Sequence, residues 1–252
     1  GDVDVMVSVG NNFFYTLSLP CSLWFFDKAK RAENRDKVLF IDARNYYTAV
    51  DRTLNEWSEW QMKNLNAIVW LYRGEIDKYT ALIQQYKNAF LDYATSAADM
   101  ELDEILRKYA DFFSLKTAME SYLAEKRKRA KECVETVEKR KKKAEQAKWD
   151  EYLSWIEEII SVTKEACWLY EKFGDGEYKD VLGLCKCASI EEIEQKGWSL
   201  TPGAYVGVAP VEDDGVDFAE RMAEIHAELL TLQAESNELM KTISKNMKEM
   251  GL

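Results

Sequence analysis

His226 is the only histidine among the 252 residues, so the chain cannot build a Ser-His-Asp triad or a multi-histidine metal site on its own. It follows Ile225 in a heptad-patterned stretch, where a solvent-facing or interfacial role explains it better than catalysis does. Cys185 and Cys187 lack the two-residue spacer and the second pair that a structural zinc site needs. The G-x-G at Gly174 and Gly176 ends a helical pattern instead of following a strand, so it is not a dinucleotide loop. Asp213 and Asp214 read as a turn followed by favourable charge at a helix N-terminus. No set of residues therefore reads as catalytic, cofactor-binding or metal-binding. The chemistry that remains is charge. Residues 126–148 hold eleven basic and four acidic side chains, a net +7 against −18 for everything else. One reading is a helix end charged all round and projecting into water, with Glu135–Lys139 and Glu138–Lys142 in the favourable i,i+4 order. The other is a phosphate-contacting arm through Lys139, Arg140, Lys141, Lys142 and Lys143. No aromatic residue interleaves with these cations, which argues against a single-strand stacking platform.

The elements that must carry these residues are mostly helical. From residue 75 to residue 173 there is neither glycine nor proline. Ile76, Tyr79, Ile83, Tyr86, Phe90 and Tyr93 step by threes and fours, and Leu102, Leu106, Tyr109 and Phe113 resume after a polar break. Trp149, Leu153, Ile156, Ile160, Thr163, Cys167 and Tyr170 follow on a wider apolar face. This pattern predicts two or three long antiparallel helices packed as a hairpin or bundle. Before them, Ser58 and Gln61 have capping-box spacing, opening a helix whose face is Trp60, Leu65, Ile68, Val69 and Tyr72 and which stops before Gly74. Trp57, Trp60 and Trp70 read as core.

The first forty residues have strand character instead. Val3, Val5, Val7 and Val9 alternate with Asp4, Met6 and Ser8, and residues 21–26 (CSLWFF) and 38–41 (VLFI) are short apolar runs expected to be buried strands. Residues 28–36 read as a charged surface loop. Three strands cannot cover both faces of a buried sheet by themselves, which points to missing upstream structure, and a start at Gly1 inside a strand looks cut. At the other end, the turn-rich GWSLTPGAYVG (residues 197–207) leads through VEDDG to a long terminal helix, with Asp217 and Glu220 as a capping pair. Its inward positions are Phe218, Met222, Ile225, Leu229, Leu232, Ser236, Leu239 and Ile243, a mean step of 3.5 that marks a coiled-coil seam. Each apolar seam residue is worth roughly 1.5–3 kcal/mol if fully buried, and an isolated helix of this kind is marginal in water. It needs a partner helix or its own protein to pack on.

Composition narrows the classes. The chain is 47% apolar and 31% charged, as expected of a soluble helical protein. A net charge of −11 argues against nucleic-acid binding over the whole surface but leaves room for a local basic patch. Five scattered cysteines suit reduced thiols in the cytoplasm. The apolar stretches near the start are interrupted by Asp2, Asp4, Asn11, Asn12 and Pro20, so they make neither a signal peptide nor a membrane span.

Two separated blocks resemble a known family. The first is NNFFYTLSLPCSLWFFDK (residues 11–28) followed by KVLFIDAR (37–44); the second is DVLGLCKCASIEEIEQKGWSLTPGAYVGVAPVEDDG (180–215). Together they are similar to the C-terminal portion of the modification (M) subunit of type I restriction–modification systems, DNA adenine-N6 methyltransferases. Leu19 stands where that family usually has isoleucine and Leu182 where proline is common, and the blocks cover roughly a third of the chain. The resemblance implies a mainly α fold with a small β portion. The last strands of a class I methyltransferase (Rossmann-like α/β) sheet would be followed by long antiparallel helices and a C-terminal coiled-coil helix. Residues 1–74 would then be the edge of the catalytic domain, 75–179 a helical hairpin with a basic tip, and 180–252 a linker motif and assembly helix. It also implies S-adenosylmethionine as cofactor of the parent protein. The family's glycine-rich cofactor loop and N-P-P-aromatic motif are not in this sequence, whose prolines, Pro20, Pro202 and Pro210, are never adjacent. Both motifs are expected upstream, so this stretch alone is expected to be inactive and to bind no cofactor. The implied partner of the seam is the specificity subunit and, through the complex, the restriction subunit and DNA; self-association through the seam is a further expectation. The competing readings are a non-enzymatic coiled-coil scaffold or adaptor, and nucleic-acid contact through residues 126–148.

Overall fold

Alternation of valine with short polar residues makes Val3–Val9 a strand, β1, and the apolar run in Lys37–Ala43 makes β3. In the computed structural model the two pair in parallel, Val5 opposite Leu39 and Val7 opposite Ile41. Cys21–Phe26 forms β2, antiparallel to β1 with Met6 opposite Trp24, and Cys185–Ser189 forms β6, antiparallel to β3 with Leu39 opposite Cys187. The order across this four-stranded mixed sheet is β2-β1-β3-β6. A small hairpin, β4 (Thr48–Ala49) with β5 (Asn55–Glu56), lies beside it. The structure describes residues 1–15, 18–97, 99–209, 222, 225, 226, 229–233, 236, 237, 239, 240 and 243. Two compact units divide the chain, Gly1–Ala209 and Pro210–Leu252.

One face of the sheet, carrying Val5, Val7, Leu39 and Ile41, packs on the helices in a single large core. The opposite face, carrying Met6, Val38, Phe40 and Ala188, is covered by α6 (Ile190–Gln195) and α7 (Gly203–Val206) through Ile193, Tyr205 and Val206. Tyr205 stacks on Phe40 with ring centroids 3.9 Å apart. The cover that the three N-terminal strands lacked thus comes from residues 190–206. The expectation of a buried CSLWFF strand is corrected: β2 is the outermost strand, and Leu23, Trp24, Phe25 and Phe26 are all exposed. Burial goes instead to β1 and β3, which have a neighbour on each edge and a layer on each face. Asp4 and Ser8 are buried with them; Asp4 is held by Arg73 and lies 4.0 Å from Lys30.

The helices begin at α1 (Glu59–Tyr72), where both halves of the Ser58–Gln61 capping box form and Gly74, at φ +69°, ends the element. The glycine-free span holds α2 (Ile76–Ser96), α3 (Met100–Arg107), α4 (Phe112–Thr136) and α5 (Lys142–Phe173). Three inward positions differ from the periodicity. Leu82 is buried in α2 where Ile83 was expected, and Ile76 is exposed. Asp111 caps a new helix, which resets the phase so that Phe112 enters the core and Phe113 does not. α4 and α5 run antiparallel: Phe112, at the start of α4, meets Tyr170 near the end of α5 with ring centroids 5.8 Å apart, and Arg127, further along α4, reaches Glu157 at 2.7 Å. Their connection, residues 137–141, interrupts the helix expected through the basic run. Glu138 therefore pairs with Arg140 at 3.0 Å and Lys141 at 3.7 Å, and the expected i,i+4 ladder does not form among the described residues. Among the described residues no helix is long and apolar enough to cross a membrane.

Candidate functional site

In the second unit, Met222, Ile225, Leu229, Leu232, Ser236, Leu239 and Ile243 are all helical and exposed, the six apolar ones between 38% and 64%. Phe218, Asp213, Asp214, Asp217 and Glu220 lie outside the described residues. Leu230 and Met240, which the heptad reading left out, are equally exposed and widen the apolar stripe by one position beside Leu229 and Leu239. Their adjacency to seam leucines was the sequence signal. His226 is helical and exposed.

The basic residues fall around the far end of the α4–α5 hairpin. Lys139, Arg140 and Lys141 lie in the connection; Lys142 and Lys143 open α5, where cations oppose the helix dipole. Lys126 does not share their exposure. Its side chain is buried, with its ammonium 2.8 Å from Asp99, 3.1 Å from Glu101 and 4.4 Å above the Tyr122 ring. That ammonium, helped by the Tyr122 hydroxyl, holds the Asp99 carboxyl down at about 2. Asp99 also caps α3, so one carboxylate ties the base of the hairpin to the preceding helix.

At the carboxyl ends of β1 and β3, where open α/β sheets bind ligands, Gly10, Asp42, Arg44 and Gly203 come together. Arg44 donates to Asp42 through Nε at 2.8 Å and Nη2 at 2.6 Å. A side chain on Gly10 would meet the Arg44 carbonyl oxygen at 2.6 Å, and one on Gly203 would meet Arg44 Nη2 at 2.8 Å. The Asp42 carboxylate is thus paired, while the Arg44 side chain stays half-exposed. Burial pushes the Cys185 thiol up to about 12 and the Cys167 thiol up to about 11, which keeps both protonated and poor as nucleophiles or ligands. Among the described residues no group of three or more His, Cys, Asp or Glu side chains could hold a metal ion.

A buried polar network was not foreseen. Glu165 of α5 accepts from the Tyr46 hydroxyl and, at 3.2 Å, from Asn64 Nδ2, while Tyr86 donates to Asn64 Oδ1 at 2.9 Å. Desolvation raises the Glu165 pKa, and its hydrogen bonds oppose that shift. The network joins α1, α2 and α5 to the segment after β3.

Residues 1–107 match the family described as N-6 DNA Methylase. Over 74 residues the chain is 47% identical to the methylase subunit of the type I restriction enzyme HindI of Haemophilus influenzae, a match covering 29% of this chain and 17% of that protein. Over 246 residues it is 23% identical to the methylase subunit of the type I restriction enzyme MjaIX of Methanocaldococcus jannaschii, covering 98% of this chain and 26% of that protein. The chain thus spans about a quarter or less of the length of these curated relatives. The N-terminal strands and first helices carry the family match, and the longer alignment runs through the hairpin and the returning strand. These matches make the chain similar, over residues 1–107, to the N-6 DNA Methylase family, and both relatives are methylase subunits of type I restriction enzymes.

Proposed function

We propose that this chain is the assembly portion of a type I DNA adenine-N6 methyltransferase subunit, docking the DNA-reading specificity subunit through its terminal helix. The observation that carries the proposal is the run of exposed apolar helical positions from Met222 to Ile243, at a spacing that suits a second helix and leaves little reason for the stripe in water. Methyl transfer from S-adenosylmethionine to adenine then belongs to other parts of the M subunit, because the glycine-rich cofactor loop and the N-P-P-aromatic motif are not in this sequence. The exposed strand β2 supports this. Leu23 and Phe25 on one face and Trp24 and Phe26 on the other are apolar, which suits an inner strand of a larger class I methyltransferase sheet. Leu23 and Phe25 also line an apolar cleft of about 230 Å3 with Met62, Val69 and Trp70 of α1, room for further structure of the same subunit. The complex would work in the cytoplasm, with the restriction subunit and DNA joined through the specificity subunit.

The test is co-purification. Leu229→Asp combined with Leu239→Asp places two charges in the stripe and is expected to abolish association of the M subunit with the specificity subunit, a loss of at least about 100-fold in affinity. Unchanged co-purification of the double variant would overturn the docking assignment.

A further inference from the structure

The far end of the α4–α5 hairpin separates free cations from paired ones. Arg127 is tied to Glu157, Arg140 and Lys141 to Glu138, and Lys126 to Asp99 and Glu101. Lys128, Arg129, Lys131, Lys139 and Lys143 are exposed, and none has an ion-pair partner among the described residues. An open cleft of about 560 Å3 lies at the root of this end, lined by Arg129, Lys148, Trp149, Tyr152 and Met100 together with Asp99, Lys126 and Glu145. Asp99 is committed to Lys126, and Glu145 lies 3.8 Å from Lys148. The Trp149 indole N–H has no hydrogen-bond partner among the described residues. Although no aromatic residue falls inside the basic run, the antiparallel packing of α4 and α5 brings Trp149 and Tyr152 beside Arg129.

We propose that this end of the hairpin grips the phosphate backbone of duplex DNA without reading its sequence, Arg129, Lys148 and the Trp149 indole N–H closing on one phosphate in the cleft. The proposal rests on the assignment to a DNA-modifying family and adds to it a second contact, distinct from the docking helix. Charge favours this occupant over an acidic protein surface. Protein interfaces centre on desolvated apolar and aromatic anchors, whereas Arg129 and Lys148 remain in water at the edge of the cleft. The net −18 on the remaining residues repels DNA from the other surfaces and confines contact to the arm.

The measurement is binding to a short duplex of arbitrary sequence, followed by anisotropy as salt is raised, using the chain and the assembled methylase. Losing one neutralised phosphate lowers the slope of log K against log salt by about 0.9. Arg129→Gln with Lys148→Gln is expected to reduce the slope by about 1 and to weaken binding equally for unrelated sequences. Arg140→Gln with Lys141→Gln, which lie outside the cleft and serve Glu138, is expected to leave it unchanged. Both pairs are exposed, and a far-ultraviolet melt checks that they fold. A slope unchanged in the cleft variant, an equal fall in the control, or equal affinity for polyglutamate each overturns the proposal. Co-purification with the specificity subunit reports on the terminal helix alone, so the failure of one reading is told from the failure of the other.

Discussion

Glu165 carries a carboxylate where the fold would be better served by a neutral group. Its oxygens accept from Tyr46 and Asn64, but desolvation holds its pKa above the usual glutamate value. For an acid raised in the folded state, the unfolded chain binds fewer protons between the two values. Stability is therefore lost as pH rises from the unfolded pKa through the folded one, and the cost is complete above it. Glu165→Gln keeps an acceptor for Tyr46 and removes the charge. The variant is expected to melt at a higher temperature than the parent at about pH 8, with the gain shrinking towards about pH 5. A gain that does not depend on pH would mean that the carboxylate is not the source. Little of this network was legible beforehand, because Tyr46 and Asn64 lie more than a hundred residues before Glu165. The Ser58–Gln61 cap, by contrast, was readable because both partners lie within one helical turn.

Among the elements, those defined by local pattern were found where the sequence placed them, and those defined by a neighbour were not. β1, β3 and α1 follow from alternation, apolar runs and a capping box. β2 has the composition of a buried strand but sits at the edge, since composition states a preference for burial without naming the layer that provides it. β6 escaped notice because CKCAS is short and carries a lysine; its place is set by β3, not by its own residues. α7 is equally inconspicuous, yet it holds one face of the sheet through Tyr205, which stacks on Phe40 and donates its hydroxyl to the Ser199 carbonyl. Tyr205→Ala is expected to cost about 3 kcal/mol, the usual scale for truncating a buried aromatic, read as a lower denaturant midpoint with the slope unchanged. A loss under about 1 kcal/mol would show that Phe40 is covered by something else. The candidate site divides in the same way. The exposed apolar positions from Met222 to Ile243 could be read from the heptads, whereas the pairing of the basic residues depended on where α4 stops, which a run of lysines and arginines does not reveal.

At the scale of the molecule, both apolar cores among the described residues lie within the unit Gly1–Ala209. Expressed alone, it is expected to melt in a single cooperative transition with coincident near- and far-ultraviolet signals; a broad or two-step melt would refute its autonomy. The pairing of β6 with β3 also has a kinetic consequence. Roughly 140 residues separate Ala43 from Cys185. Closing so long a loop adds only modestly to the equilibrium cost, since each doubling adds about 0.6 kcal/mol, but such non-local pairing forms late. On the ribosome, at about 5–20 residues per second, one side of β3 waits on the order of ten seconds for its partner while the intervening helices are being made. The nascent chain thus carries an open strand edge, next to the bare aromatics of β2, through most of its synthesis. Chaperone demand should concentrate in that interval and end when residue 189 emerges.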